Sequence, residues 1–211
     1  MCPTKAPGPD GLPAVFFQKH WQAVECGVVS TCLHILNERG NLTSLNHTYI
    51  ALIPKVHKPR KVTDFRPISP CNVIYRIIAK VIANRTKPNL EQIISPFQSA
   101  FIPNRLITDN IIIGYECLHK IRHNKGKRNG LVVLKLDISK AYDRVEWEFL
   151  KQTMTKLGFP NKWVDLVMNC ITTSSFFVLI NGNPKGMIHL QRGLFHSCIL
   201  RVALQVDPLQ I

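Results

Sequence analysis

Acidic residues are scarce in this chain. Thirteen Asp and Glu stand against 27 Lys and Arg, leaving a formal charge of +14 over 211 residues. A deficit of that size disfavours cationic partners and favours polyanions, nucleic acid first and anionic membrane surface second. Long apolar runs are also missing, and none approaches the length that crosses a bilayer, so no membrane partner is expected. The seven cysteines never form C-x-x-C, and no Cys/His group has zinc-ligand spacing. An odd, unpatterned set predicts reduced thiols and an intracellular chain, with nucleus and cytoplasm both open. The opening "MCPTKAPGPDG" lacks an apolar h-region and is not read as a secretion signal. Neither an internal repeat nor a low-complexity tract is present.

What is there suits a folded domain: hydrophobic residues make up 45 % of the chain and charged residues 19 %, enough for a sizeable core. "APGPDGLP" is turn chemistry, and Pro13 fits the first turn of a helix carrying Phe16, Phe17, Trp21 and Val24. "VVSTCLHILNERG" predicts a second helix stopped by Gly40. "TYIALIPK" predicts a strand and "FRPISP" an extended, proline-bounded segment. Helical spacing returns at Ile74, Ile77, Ile78, Val81 and Ile82, with Pro88 as the expected limit. A helix capped by Thr108 should follow and run into the basic loop His119–Arg128, which reads as a solvated turn. The histidines show no paired metal spacing.

"LVVLKL", residues 131–136, is apolar on both faces apart from Lys135 and predicts a central strand. Trp147, Leu150, Met154 and Leu157 mark an amphipathic helix ended by Gly158, and "NKWVDLVMNCI" a further one. "SFFVLI", Asn181-Gly182 and "MIHL" predict a hairpin, with room for a connection longer than two residues. The irregular alternation indicates an α+β fold.

Asp137 closes the expected central strand. A carboxylate there is held rigidly enough to bind Mg²⁺, yet Asp at that position also caps a following helix. The local pattern leaves both readings open.

Five segments, "KAPGPDG", "LIPKVHKPRKVTDFRPIS", "QSAFIPNRLITDNI", "LKLDISKAYDRVEW" and "VLINGNPKGMIHLQRGL", occur in the order found in non-LTR (LINE-type) retrotransposon reverse transcriptases. The chain resembles that family, especially its plant members, from Lys5 to Leu194. The resemblance implies the fingers and a partial palm of a right-hand polymerase over residues 1–194. It implies RNA template and DNA primer as partners, and Mg²⁺ as cofactor. By the same resemblance Asp137 is a catalytic residue and metal ligand, and Tyr142 is the gate that screens the 2′ position of the incoming nucleotide. Lys55 and Arg66 match basic positions facing template and nucleotide, and Arg60 and Lys61 share in holding the triphosphate. For the four basic residues the plain alternative is an exposed basic stretch, and for Tyr142 it is core packing. Asp143 is read as starting the helix that follows.

After Leu194 the likeness stops. The family continues with a Gln-Gly-x-Pro-x-Ser-Pro segment and then a hairpin bearing paired acids. Residues 195–211, "FHSCILRVALQVDPLQI", resemble neither and read as a divergent tail, expected from a frameshift or a decayed element. Asp165, inside a helix, and Asp207, beside a proline, do not replace the acid pair. A two-metal site holds ions about 3.5–4 Å apart and needs more than one carboxylate. The expectation is therefore a polymerase-type chain inactive by itself, or else a basic nucleic-acid-binding remnant.

Overall fold

The computed structural model describes residues 1–38, 40–99, 102, 104–123, 132–134 and 141–194. They form a four-stranded sheet with helices packed around it, an α+β arrangement. The helices are α1 (Ala14–Lys19), α2 (Trp21–Glu38), α3 (Val73–Ile93), α4 (Ile107–His123), α5 (Trp147–Lys156) and α6 (Asn161–Thr172). The strands are β1 (His47–Pro54), β2 (Phe65–Ile68), β3 (Ser175–Ile180) and β4 (Asn183–His189), in the order β2-β1-β3-β4. Strand β1 pairs antiparallel with β2 and parallel with β3, while β3 pairs antiparallel with β4. None of the described helices is long and apolar enough to cross a membrane.

Several sequence expectations meet the structure directly. Pro13 stands at the N-cap of α1, one residue before the first turn, with φ −74° and an extended ψ of 159°. Gly158 follows α5 at φ +86°, a conformation that stops a helix without Cβ strain. Asn181 and Gly182 have φ +51° and +78°, and Ile180 pairs with Asn183. The β3–β4 connection is thus a two-residue turn whose positive φ values match the twist of the strands it joins.

Four expectations are corrected. First, Trp21 and Val24 belong to α2, because α1 ends at Lys19 and His20 accepts the first bonds of the next helix from Ala23 and Val24. Helix α2 accordingly starts earlier than the apolar run suggested and buries Val28, Cys32 and Ile35 on one stripe. Second, Pro88 lies inside α3, which continues to Ile93. Pro88 and Asn84, whose carbonyl it leaves without a partner, are both exposed, so water can take that carbonyl while the apolar face runs on. Third, Thr108 sits inside α4, one residue after its start, and does not cap it. Fourth, Val132, Val133 and Leu134 form no strand and are exposed. The rest of the expected central strand, Leu131 and residues 135–136, lies outside the described residues, as do Asp137, residues 124–128 and the tail 195–211. No described strand flanks the trio to supply the ladder partners that a central strand needs.

The core gathers Phe17, Val28, Ile35, Leu42, Tyr75, Ile78, Ile82, Leu166, Val167 and Ile171 from α1, α2, α3, α6 and the approach to β1. Polar groups inside it are paired. The carbonyl of Cys170, in the last turn of α6, accepts bonds from Asn46 Nδ2 at 2.8 Å and Tyr75 Oη at 2.9 Å. Helix ends leave such carbonyls without intrahelical partners, and here two buried side chains from elsewhere in the chain serve one of them. Asn46 also donates to Thr173 Oγ1 at 3.0 Å, and its own carbonyl accepts the N–H of Ser175, the first residue of β3, at 3.2 Å. A second buried amide, Asn72, donates to the Leu45 carbonyl at 3.1 Å and accepts the Asp10 N–H at 3.3 Å. A Cβ on Gly8 would overlap Asn72, so the N-terminal "PGPDG" turn seats against α3 only with glycine at that point.

Tyr75→Phe removes one of the two donors to Cys170 with little change of shape and should destabilise the chain by about 1 kcal/mol. Asn46→Ala, which leaves the Tyr75 bond but strips both side-chain bonds of a buried amide, should cost more, roughly 2–3 kcal/mol. Urea unfolding of both variants checks the order; a Tyr75→Phe midpoint equal to the parent would show that the node carries no stability.

Candidate functional site

Four of the expected site residues lie on one hairpin. Strands β1 and β2 place Ile53 opposite Arg66 and Pro54 opposite Phe65, and the loop between them carries Lys55, Arg60 and Lys61. All four basic side chains are exposed. The loop is closed by its single acid. The Asp64 carboxylate accepts the backbone N–H groups of Arg60 and Lys61, each at 3.0 Å, and the Asp64 N–H returns a bond to the Lys61 carbonyl at 2.9 Å. At the neck, the Lys55 N–H donates to the Asp64 carbonyl at 2.7 Å and Lys55 Nζ to the Thr63 carbonyl at 3.0 Å. Lys58 adopts φ +59° to complete the reversal.

The electrostatic consequence follows from how Asp64 is used. Its Oδ2 accepts both backbone N–H groups, which hold the carboxyl below its ordinary value of 3.8, with a smaller contribution from nearby Lys55. It therefore orders the loop while neutralising only part of the positive charge around it. Among the described residues Arg60, Lys61 and Arg66 make no ion pair. Exposed guanidinium and ammonium groups held on an ordered backbone are suited to phosphate oxygens, guanidinium in a two-pronged manner and ammonium as a point charge.

Tyr142 stands apart from this hairpin, in the 3₁₀ turn Ala141–Arg144. It is 46 % exposed, so it is not a core aromatic. Its carbonyl accepts the Leu194 N–H at 2.8 Å, the Val145 carbonyl accepts the Gly193 N–H at 2.7 Å, and Trp147 Nε1 donates to the Gly193 carbonyl at 2.9 Å. These bonds lay the "RGL" segment against the turn between "KAYDRVEW" and α5, two motifs nearly fifty residues apart in the chain. Gly193 has φ +84°, and a Cβ there would fall 2.8 Å from the Asp143 carbonyl oxygen. Asp143 therefore contributes backbone to a docking site for Gly193.

Asp137 lies outside the described residues. Among those described, no group of three or more His, Cys, Asp or Glu side chains could hold a metal ion. His119 and His123 stand four residues apart on α4, with ring centroids 4.0 Å apart. Sequence reasoning also passed over Asp64 and Gly193, and read Trp147 only as part of the apolar face of its helix. Asp64 had a signal, being the only acid between Ile53 and Pro70.

Residues 53–194 match the family described as reverse transcriptase (RNA-dependent DNA polymerase). The chain belongs to that family. It is 30 % identical over 209 residues to the transposon TX1 uncharacterized 149 kDa protein of Xenopus laevis, covering 97 % of this chain and 16 % of that one. It is 29 % identical over 167 residues to the retrovirus-related Pol polyprotein from the type-2 retrotransposable element R2DM of Drosophila melanogaster, covering 79 % of this chain and 15 % of that one. Its likeness is thus to reverse transcriptases of the non-LTR kind, and it spans about a sixth of the length of these relatives. The family uses divalent metal ions and binds a nucleic-acid template. The basic hairpin from Lys55 to Arg66 and the docked "RGL" segment both fall inside the matched region.

Two outcomes follow. Because the Asp64 carboxyl is depressed in the folded chain, its contribution to loop order is complete above about pH 4 and is lost as pH falls through the lower folded value. The amide protons of Arg60 and Lys61 should exchange faster in Asp64→Asn at neutral pH, and in the parent on acidification; unchanged exchange in the variant would remove Asp64 from this role. Gly193→Ala should destabilise by about 1–3 kcal/mol, since it meets both a positive φ and the Asp143 carbonyl. Thermal unfolding measures it, with Gly182→Ala as a comparison that carries the φ strain but has open space for a Cβ.

Proposed function

We propose that these residues are the fingers and the first part of the palm of an intracellular RNA-directed DNA polymerase. In that reading Lys55, Arg60, Lys61 and Arg66 hold phosphates of the template strand and the incoming nucleotide. The single observation that carries it is the hairpin itself: four exposed basic side chains on one hairpin whose loop is ordered by a single acid through backbone bonds. Phosphoryl transfer depends on positioning and charge neutralisation, and a basic loop with a fixed backbone supplies both. Tyr142, half-exposed on its turn, is assigned the screening of the 2′ position.

Asp137 is assigned one ligand position for Mg²⁺, on the strength of the motif that contains it. Mg²⁺ would supply charge neutralisation at the transferring phosphate. A single carboxylate does not anchor a two-metal site, so residues 1–211 alone should not catalyse synthesis and need a second acidic segment from further chain or a partner. The completeness of the basic hairpin favours a second reading, sequence-independent nucleic-acid binding without catalysis.

Primer extension on an RNA template with Mg²⁺ or Mn²⁺ tests the first point: no product above background is expected, and product abolished by Asp137→Ala would overturn it. Binding of single-stranded RNA across a salt series tests the second. Replacing Lys55, Arg60, Lys61 and Arg66 by alanine should flatten the salt slope by roughly 2–3, at about 0.7 per lost phosphate contact on a single strand. Unchanged slope and affinity would place the nucleic acid elsewhere.

A further inference from the structure

Helix α4 buries none of its residues and ends on an aromatic stack. Tyr115 and His119 have ring centroids 6.3 Å apart and nearly parallel planes, at 27°. His119 and His123 follow at 4.0 Å and 34°. Residues four apart on a helix lie one above the other, so both imidazoles leave the same side of the last two turns. Both side chains are exposed.

The hydrogen bonding of His123 fixes which nitrogen is free. Its Nδ1 lies 2.8 Å from the His119 carbonyl oxygen. A carbonyl only accepts, so Nδ1 carries the proton and the Nε2 lone pair of His123 faces outward. A ring nitrogen bonded to a backbone carbonyl while the other nitrogen is bare is the usual arrangement of a metal-binding histidine. Two imidazole nitrogens on one ion, each about 2.0–2.1 Å from it, sit roughly 3 Å apart. Rings whose centroids already lie 4.0 Å apart, tilted at 34°, reach that separation by small rotations about their side-chain bonds.

We propose that His119 and His123 form a two-imidazole chelate for a borderline first-row divalent cation such as Zn²⁺ or Ni²⁺, with water completing the coordination. The ligands are nitrogen, so the site selects against Mg²⁺, which prefers oxygen. Charge works in both directions here. Lys120 and Arg122 oppose a dication, whereas the carbonyls at the C-terminus of α4 and the carboxylate of Glu116, one turn before His119, favour it. The site is separate from the basic hairpin and does not depend on the polymerase reading.

Isothermal titration of the full 211-residue chain with Ni²⁺, and separately with Zn²⁺, tests the proposal. The background carries the exposed Cys2, Cys26 and Cys117 as serine, and Cys198 with them, because thiols compete for both ions. One saturable site is expected, weakened at least about tenfold by either His119→Ala or His123→Ala. His34→Ala, on α2, should leave it unchanged, and Mg²⁺ at equal concentration should not displace the ion. Circular dichroism establishes that the variants remain folded, as exposed positions should allow. Absence of saturable binding, or equal affinity in His119→Ala and His123→Ala to the parent, would overturn the proposal.

Discussion

The carbonyl of Cys170 is the point on which the arrangement of this chain turns. It belongs to the end of α6, yet its two donors come from the approach to β1 and from the first turn of α3. The Asn46 contact joins residues 124 positions apart. The same asparagine accepts the first N–H of β3, so the node fixes where the parallel β1–β3 pairing begins. Parallel strands have no hairpin to set their register, and one residue of slip would exchange the buried Phe176 with the half-buried Phe177. A buried amide with its hydrogen bonds made is therefore a register device as well as a source of stability.

That pairing explains how the basic hairpin is presented. Strand β1 is anchored at its start by Asn46 and by Thr48, which donates to the Pro70 carbonyl at 2.7 Å. Its far end, from Leu52 to Pro54, is exposed along with all of β4. The sheet is thus buried at one end and free at the other, and the free end carries Lys55, Arg60, Lys61 and Arg66. Anchoring one end of a strand in a core and leaving the other in solvent lets a charged loop be held in place without desolvating it. The second anchored feature, Gly193 on the Asp143–Val145 turn, rests on different bonds and brings the end of the matched region back onto the start of α5.

Much of this was legible in the residues. The α+β class, the helices α3, α5 and α6, both hairpin partners β3 and β4, and the exposed strand β2 follow from apolar spacing and from Pro, Gly and Asn at the turns. The grouping of Lys55, Arg60, Lys61 and Arg66 was legible too, since a short reversal between two strands brings near neighbours together. Long-range bonds were not. Nothing in the spacing of Asn46, Tyr75 and Cys170 ties them, because a side chain bonded to a backbone carbonyl leaves no mark on the sequence of the acceptor. Pro88 misled because its cost depends on whether the carbonyl it frees meets water, and Trp21 because an apolar residue fits either of two adjoining helices. The two-imidazole pair was visible as a spacing of four, but its meaning depends on a proton fixed by a backbone bond.

The residue that supplies the central carbonyl also carries a thiol, and burial pushes that thiol up to about 12. Cys32 is raised by burial as well, whereas Cys2, Cys26 and Cys117 lie at the surface. At neutral pH a buried thiol is protonated and unreactive, and only the thiolate attacks an alkylating reagent. The chain therefore carries a built-in chemical clock: surface cysteines label at once, and Cys170 labels only as often as α6 parts from α3. The same residue that fastens the molecule also times its opening.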